Sequence, residues 1–205
     1  MDERRAPDGA GAPMMEGMSD AVTLFHDLTS PAAAVAVMRL TSLAVDGVPI
    51  AFEGFEAIGI DMAMPVDLDT LAVIDRLAPV AEAEGLVLRR PRTLPPTGLA
   101  HVLLAHGETT ERAHELRIAV YRAVWEPQQA IDDIDTLVAI ATDVGLDEPT
   151  VAELLGDRVA LASRRRLMAT HRRDGVGGVP VILASRTLVP GLLDADQVRA
   201  LAAAV

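Results

Sequence analysis

The stretch from Val22 to Met38, VTLFHDLTSPAAAVAVM, constrains the fold more than any other part of the chain. Its first residues make an apolar run with β-branched and aromatic side chains, the pattern of a short buried strand. A polar turn follows, Asp27-Leu28-Thr29-Ser30, and an Ala/Val segment then opens with Pro31. Proline suits the first turn of a helix, where its missing N–H is not needed. Ser30 suits the N-cap before it, where a side-chain oxygen accepts from an orphan amide. Strand, tight turn and helix N-terminus in direct succession leave a partial positive charge at the strand end, and such places stabilise anions.

The rest of the chain can be read outward from that unit. Asp46-Gly47 marks a turn, and Val48 to Phe55 reads as a second strand with Pro49 at its entrance, where proline is tolerated. Strand, helix and strand imply parallel pairing through a right-handed crossover. From Asp67 to Thr150 the apolar spacing is helical throughout, with Leu71, Ile74, Leu77, Ala78 and Ala81 recurring until Gly85. A breaker cluster, Arg90-Pro-Arg-Thr-Leu-Pro-Pro96, interrupts it, and further helical faces follow up to Gly145. An Arg-rich helix is expected from about Asp157 to Arg173, then a glycine-rich approach into the strand Val179-Pro-Val-Ile-Leu183, with Arg186 to Val189 as its hairpin partner. Asp194-Ala-Asp-Gln197 has the form of a capping box for a last helix. The expected organisation is therefore an α/β lobe from residues 21–60 and 157–205, split by an all-helical insertion over residues 61–156. Residues 1–20, rich in Gly, Pro, Ala and charge with no apolar h-region, read as a disordered leader rather than a secretion signal.

Several of these motifs, in this order, resemble the DsbA superfamily of thioredoxin-fold proteins. The nearest branch comprises FrnE-like proteins, 2-hydroxychromene-2-carboxylate isomerases and kappa-class glutathione transferases. In that group a strand ends in Asp-x-x-Cys-Pro-x-Cys or Asp-x-x-Ser-Pro-Tyr-Ser. Here the frame reads Asp27-Leu28-Thr29-Ser30-Pro31-Ala32-Ala33. Thr97-x-x-Ala-His101, Val120-Tyr-Arg-Ala-Val-Trp125 and Gly175-Val-Gly-Gly-Val-Pro180 are similar to further signatures of the branch, and the last implies a cis Pro180 facing the active helix. The resemblance implies a thioredoxin-like fold of the DsbA/kappa type with a large helical insertion, and a homodimer. It also implies glutathione or another low-molecular-weight thiol as cofactor class.

The chain contains no cysteine, so thiol–disulfide exchange by its own residues is chemically impossible. Ser30 stands at the nucleophile position, where the resemblance implies a hydrogen bond to a ligand sulfur; the plain alternative is a helix cap. Asp27, one residue past the strand, is the second catalytic candidate, a half-buried carboxylate able to shuttle protons, or else a turn former. Val179 and Pro180 are expected to bind cofactor beside Ser30, and Thr29, Pro31 and His101 to line the substrate side, with His101 read otherwise as a packing or interlobe hydrogen-bonding residue. A triad of His26, Asp27 and Ser30 is excluded by strand alternation, which sends neighbouring side chains to opposite faces. His101 and His106, five apart, do not share a helix face, so no metal site is expected. Arg158, Arg165 and Arg172 recur at heptad spacing and read as a solvated face, or as a collector of anionic substrate.

A net charge of -12 argues against nucleic acid or an anionic membrane as partner. No apolar run reaches the roughly 18 residues of a spanning helix, and a cytoplasmic protein is expected. Two functional readings remain. One is a small-molecule isomerase- or transferase-like enzyme using the cleft between Ser30 and Pro180. The other is a redox-inactive thioredoxin-fold module that binds a ligand or a protein. Ala32-Ala33-Ala34, where the family carries polar contacts, leans toward the second, but the enzyme is the favoured reading.

Overall fold

A computed structural model describes residues 21–205, so the leader expected over residues 1–20 lies outside the described residues. The strand read from the apolar run is β1 (Val22–His26), and the helix after the turn is α1 (Pro31–Val45). Both helix-start signals act as the sequence implies: Ser30 is the N-cap, its hydroxyl accepts from Ala33 N–H at 3.2 Å, and Pro31 occupies the first turn. β2 (Ile50–Gly54) then lies parallel to β1, with Val22 opposite Ile50 and His26 opposite Gly54.

The chain leaves the sheet through β3 (Met64–Pro65) into α2 (Leu68–Ala83), and returns through β4 (Thr93–Leu94) to α3 (Gly98–Gly107). Three more helices complete the insertion: α4 (Ala113–Trp125), α5 (Ile134–Asp143) and α6 (Glu148–Gly156). Helix α2 ends where Gly85 adopts φ +76°, a conformation that a side chain disfavours. The all-helical expectation needs one correction, since Met64–Pro65 and Thr93–Leu94 form a two-residue antiparallel ladder. Its cause is the proline-rich breaker cluster: a segment that cannot be helical runs extended, and its free backbone groups find the chain entering α2.

α7 (Arg158–Arg173) leads back to the sheet, where β5 (Val181–Ala184) and β6 (Thr187–Pro190) form a hairpin before α8 (Ala195–Ala202), which opens with the Asp194/Gln197 capping box. Sheet order is β2-β1-β5-β6, antiparallel except for β1–β2. The two continuous apolar runs, β1 and β5, are thus the central strands, as burial on both faces requires. Helix α1 packs on β1 from one side while α2 and α4 cover it from the other. That explains its Ala/Val sequence, which is buried round most of the circumference rather than along one stripe. Aromatic side chains are few, and all five (Phe25, Phe52, Phe55, Tyr121, Trp125) are buried. Four of them touch a histidine ring or an arginine near the strand ends.

Candidate active site

The turn between β1 and α1 is closed by Ser30 N–H donating to Asp27 C=O at 3.2 Å. From the N-cap the Ser30 hydroxyl faces the Val179 carbonyl oxygen at 3.5 Å, at the outer limit of a hydrogen bond. The Val179–Pro180 peptide is cis, and the Pro180 carbonyl accepts from Gly191 N–H at 3.0 Å, which joins the loop to the end of β6. Ser30 and Val179 are partly exposed and Pro180 is buried. Ser30 and the Val179–Pro180 loop thus lie side by side. No acidic residue stands in the first turn of α1, so nothing on the helix neutralises its positive end.

The other candidates lie beneath this surface. Asp27 is 1% exposed, not half-buried at the cleft. Its carboxylate accepts three hydrogen bonds: from Thr29 Oγ1 at 2.8 Å, Ala57 N–H at 2.9 Å and His101 Nε2 at 3.1 Å. Burial by itself would push this carboxyl up, but the bonds from His101, Ala57 and Thr29 outweigh it and hold the group below the usual carboxylate range. Asp27 is therefore a buried organiser of the turn whose charged form is favoured, in place of the half-buried proton shuttle expected. His101 is fully buried and points at Asp27, so it cannot touch a substrate as expected. The bond to a carboxylate places its proton on Nε2, and Nδ1 has no partner. Thr29 and Pro31 are buried too, and the Thr29 hydroxyl is spent on Asp27. His26, excluded from a triad with Ser30, turns to the helical insertion and bonds the Tyr121 hydroxyl through Nδ1 at 2.8 Å.

Gly54 is a residue that sequence reasoning missed. A Cβ there would collide with the His101 ring, so the imidazole reaches Asp27 only because β2 ends in glycine. The sole signal was a glycine at the end of a predicted strand, which reads as punctuation. The arginine stripe also needs correction. Arg165 makes a two-point contact with the buried Glu56 carboxylate at 3.0 and 3.2 Å and also pairs with Asp61. Arg172 bonds the Glu56 carbonyl and lies 4.6 Å from the Phe55 ring centroid, and Arg164 pairs with Glu53 at 2.7 Å. Arg165 and Arg172 clamp the chain leaving β2 onto α7 through these contacts, whereas Arg158 stands exposed, as the solvated reading expects.

Beside the turn a recess of roughly 10 Å³ is floored by Asp27, Thr29, Glu56 and Thr97 and walled by Ile58, Ile60 and Met62. It has room for about one water molecule. Among the described residues no group of three or more His, Asp or Glu could hold a metal ion, and no helix is long and apolar enough to cross a membrane.

Comparison with known proteins agrees with this geometry. The uncharacterized protein YwbO of Bacillus subtilis is 28% identical over 123 residues, which is 58% of this chain. The match covers 62% of the length of that curated relative. A crystal structure described as a probable DsbA oxidoreductase from Streptomyces coelicolor superposes with a TM-score of 0.76 at 27% identity, covering 90% of this chain and 89% of that one. A 2-hydroxychromene-2-carboxylate isomerase shares the fold at a TM-score of 0.70 and 21% identity, over 90% of this chain and 93% of its own. The model of the DSBA-like thioredoxin domain matches residues 21–204, nearly all of the described chain, and the protein belongs to the DSBA-like thioredoxin domain family.

Proposed function

We propose that this protein is a DsbA-fold enzyme without disulfide chemistry of its own, of the small-molecule isomerase or transferase kind, acting in the cleft between Ser30 and the Val179–Pro180 loop. A low-molecular-weight thiol, glutathione or an equivalent, is the proposed cofactor. The observation that carries the reading is the position of Ser30 Oγ, at the N-terminus of a 15-residue helix without an acidic residue in its first turn, and 3.5 Å from the Val179 carbonyl. A hydroxyl donor and a helix N-terminus both stabilise a soft anion, so the donor set fits a thiolate. When bound, the thiol supplies the nucleophile that a cysteine-free chain lacks. The chain's own imidazoles near the turn cannot activate Ser30 as a base, because His26 is engaged with Tyr121 and His101 with Asp27.

A ligand- or protein-binding module without turnover is the second reading. Ala32-Ala33-Ala34 favours it, since Ala33 and Ala34 are fully buried and only the Ala32 methyl is partly exposed, leaving the first turn of α1 without polar side chains for a substrate. Calorimetric titration with reduced glutathione separates the two. Binding that weakens roughly tenfold or more in Ser30→Ala, for a stability loss of only about 1 kcal/mol, supports the first reading. Affinity unchanged in that variant, or no binding of glutathione or of other cellular thiols, assigns the protein to the second.

A further inference from the structure

Behind the Ser30 turn, side chains from several elements meet in a buried polar cluster that the proposed chemistry leaves unused. β1 contributes His26, the turn after it Asp27, α3 His101, and α4 Tyr121 and Arg117. Around His26 stand the rings of Tyr121, His101 and Phe52, with centroids at 5.7, 5.8 and 6.3 Å. Arg117 is 1% exposed. Its guanidinium lies 3.5 Å from the Phe52 ring centroid, bonds Thr41 Oγ1 at 3.2 Å and Glu108 at 3.1 Å, and has His114 Nδ1 at 3.4 Å. Three of these bonds, His26–Tyr121, Asp27–His101 and Thr41–Arg117, each have one end in the thioredoxin lobe and one in the helical insertion.

The cluster accepts only one distribution of charge. His26 Nδ1 and the Tyr121 hydroxyl share one hydrogen bond at 2.8 Å, which the neutral imidazole makes in either tautomer. A second proton would sit in a dry site with the cations of Arg117 on α4 and Arg164 on α7 nearby, and with His101 on α3 as a further opposing neighbour. Asp27 is the carboxylate whose charge favours the proton, and it already accepts three bonds. Burial, then His101, Arg117 and Arg164, push the His26 imidazole well below its usual range, with Asp27 the only opposing influence.

We propose that the seat of α3 and α4 on the end of β1 is an acid-released dock: the helical insertion detaches from the thioredoxin lobe when His26 takes up a proton, and the Ser30 turn then loses its support through Asp27. Only the detached state offers His26 water and an ordinary proton affinity. Detachment therefore gains about tenfold in population between pH 7.5 and 5.5, the yield of one proton taken up by a group titrating near 6.5. Asp27 adds to the effect only below about pH 4.

Native-state hydrogen exchange of the full chain, read by mass spectrometry with labelling times scaled to the intrinsic exchange rate, tests this directly. Amides of α3 and α4 should lose about tenfold in protection between pH 7.5 and 5.5 while β1 and β5 keep theirs. His26→Gln should abolish that pH dependence. Tyr121→Phe should lower protection of α3 and α4 at every pH but keep the slope, and it carries the test if the first variant does not fold. Equal loss in β1 and β5, no change between the two pH values, or a slope that survives His26→Gln or vanishes in Tyr121→Phe would each overturn the proposal.

Discussion

The two ends of the Asp27–Ser30 turn have opposite characters. At one end Asp27 is buried and accepts three hydrogen bonds, one of them from the helical insertion. At the other, Ser30 is partly exposed, caps a helix, makes one long contact to Val179 and is followed by three alanines. The buried end holds the turn as rigidly as a demanding site requires, while the exposed end offers a single hydroxyl and an electric field. On the proposed reading the turn would position a ligand that brings its own reactivity, since the exposed end adds only a hydroxyl and a field.

The comparison is most easily broken at the buried end. His101→Leu leaves a charged carboxylate in the core without its partner and should cost about 3–5 kcal/mol in urea unfolding, with His101→Gln recovering part of the loss. A cost below about 1 kcal/mol would make the two ends equivalent. Gly54→Ala attacks the same contact by steric overlap and should cost about 2 kcal/mol.

Acid sharpens the contrast. His26 is held neutral by the fold, whereas the unfolded chain binds a proton at about pH 6.5. Stability therefore falls as pH drops through that value, by about 1.4 kcal/mol between pH 7.5 and 5.5, and keeps falling toward the depressed folded value. Asp27, depressed as well, contributes stability above about pH 4 that is lost in stronger acid. Urea midpoints of wild type and His26→Gln across this range check both signs.

The exposed end should be the milder one. Ser30→Ala removes one cap and should cost about 1 kcal/mol. Ser30→Cys should be nearly neutral for stability, but its thiol, the only one in the molecule, should titrate below the free value of about 8.5 because of the helix N-terminus. Adding Ala33→Cys should allow a disulfide between the two positions. The unmodified protein should not accelerate insulin reduction at all. An unshifted thiol in Ser30→Cys would mean that the exposed end lacks even the field ascribed to it.

Much of the molecule was legible in one dimension because its signals are local. Ser30 and Pro31 start a helix, Asp194 and Gln197 cap another, Gly85 stops a third, and two apolar runs without polar alternation mark the central strands. These are properties of a few adjacent residues and of a period, and no distant partner is needed to read them. The family position of His101 pointed to packing or an interlobe hydrogen bond but not to its partner, and what Asp27 and Arg165 do was not legible in the same way. His101 meets Asp27 across 74 positions, His26 meets Tyr121 across 95, and Arg165 meets Glu56 across 109. A lone histidine or a stripe of arginines has the same local appearance whether it faces water, a substrate or a buried carboxylate. The sequence by itself determined the fold, the cap at Ser30 and, through the absence of cysteine, the chemistry the chain cannot perform. Tertiary structure alone decided which polar groups would be stripped of water and paired. Desolvation depends on everything packed around a group, and that environment exists only once the distant segments have met.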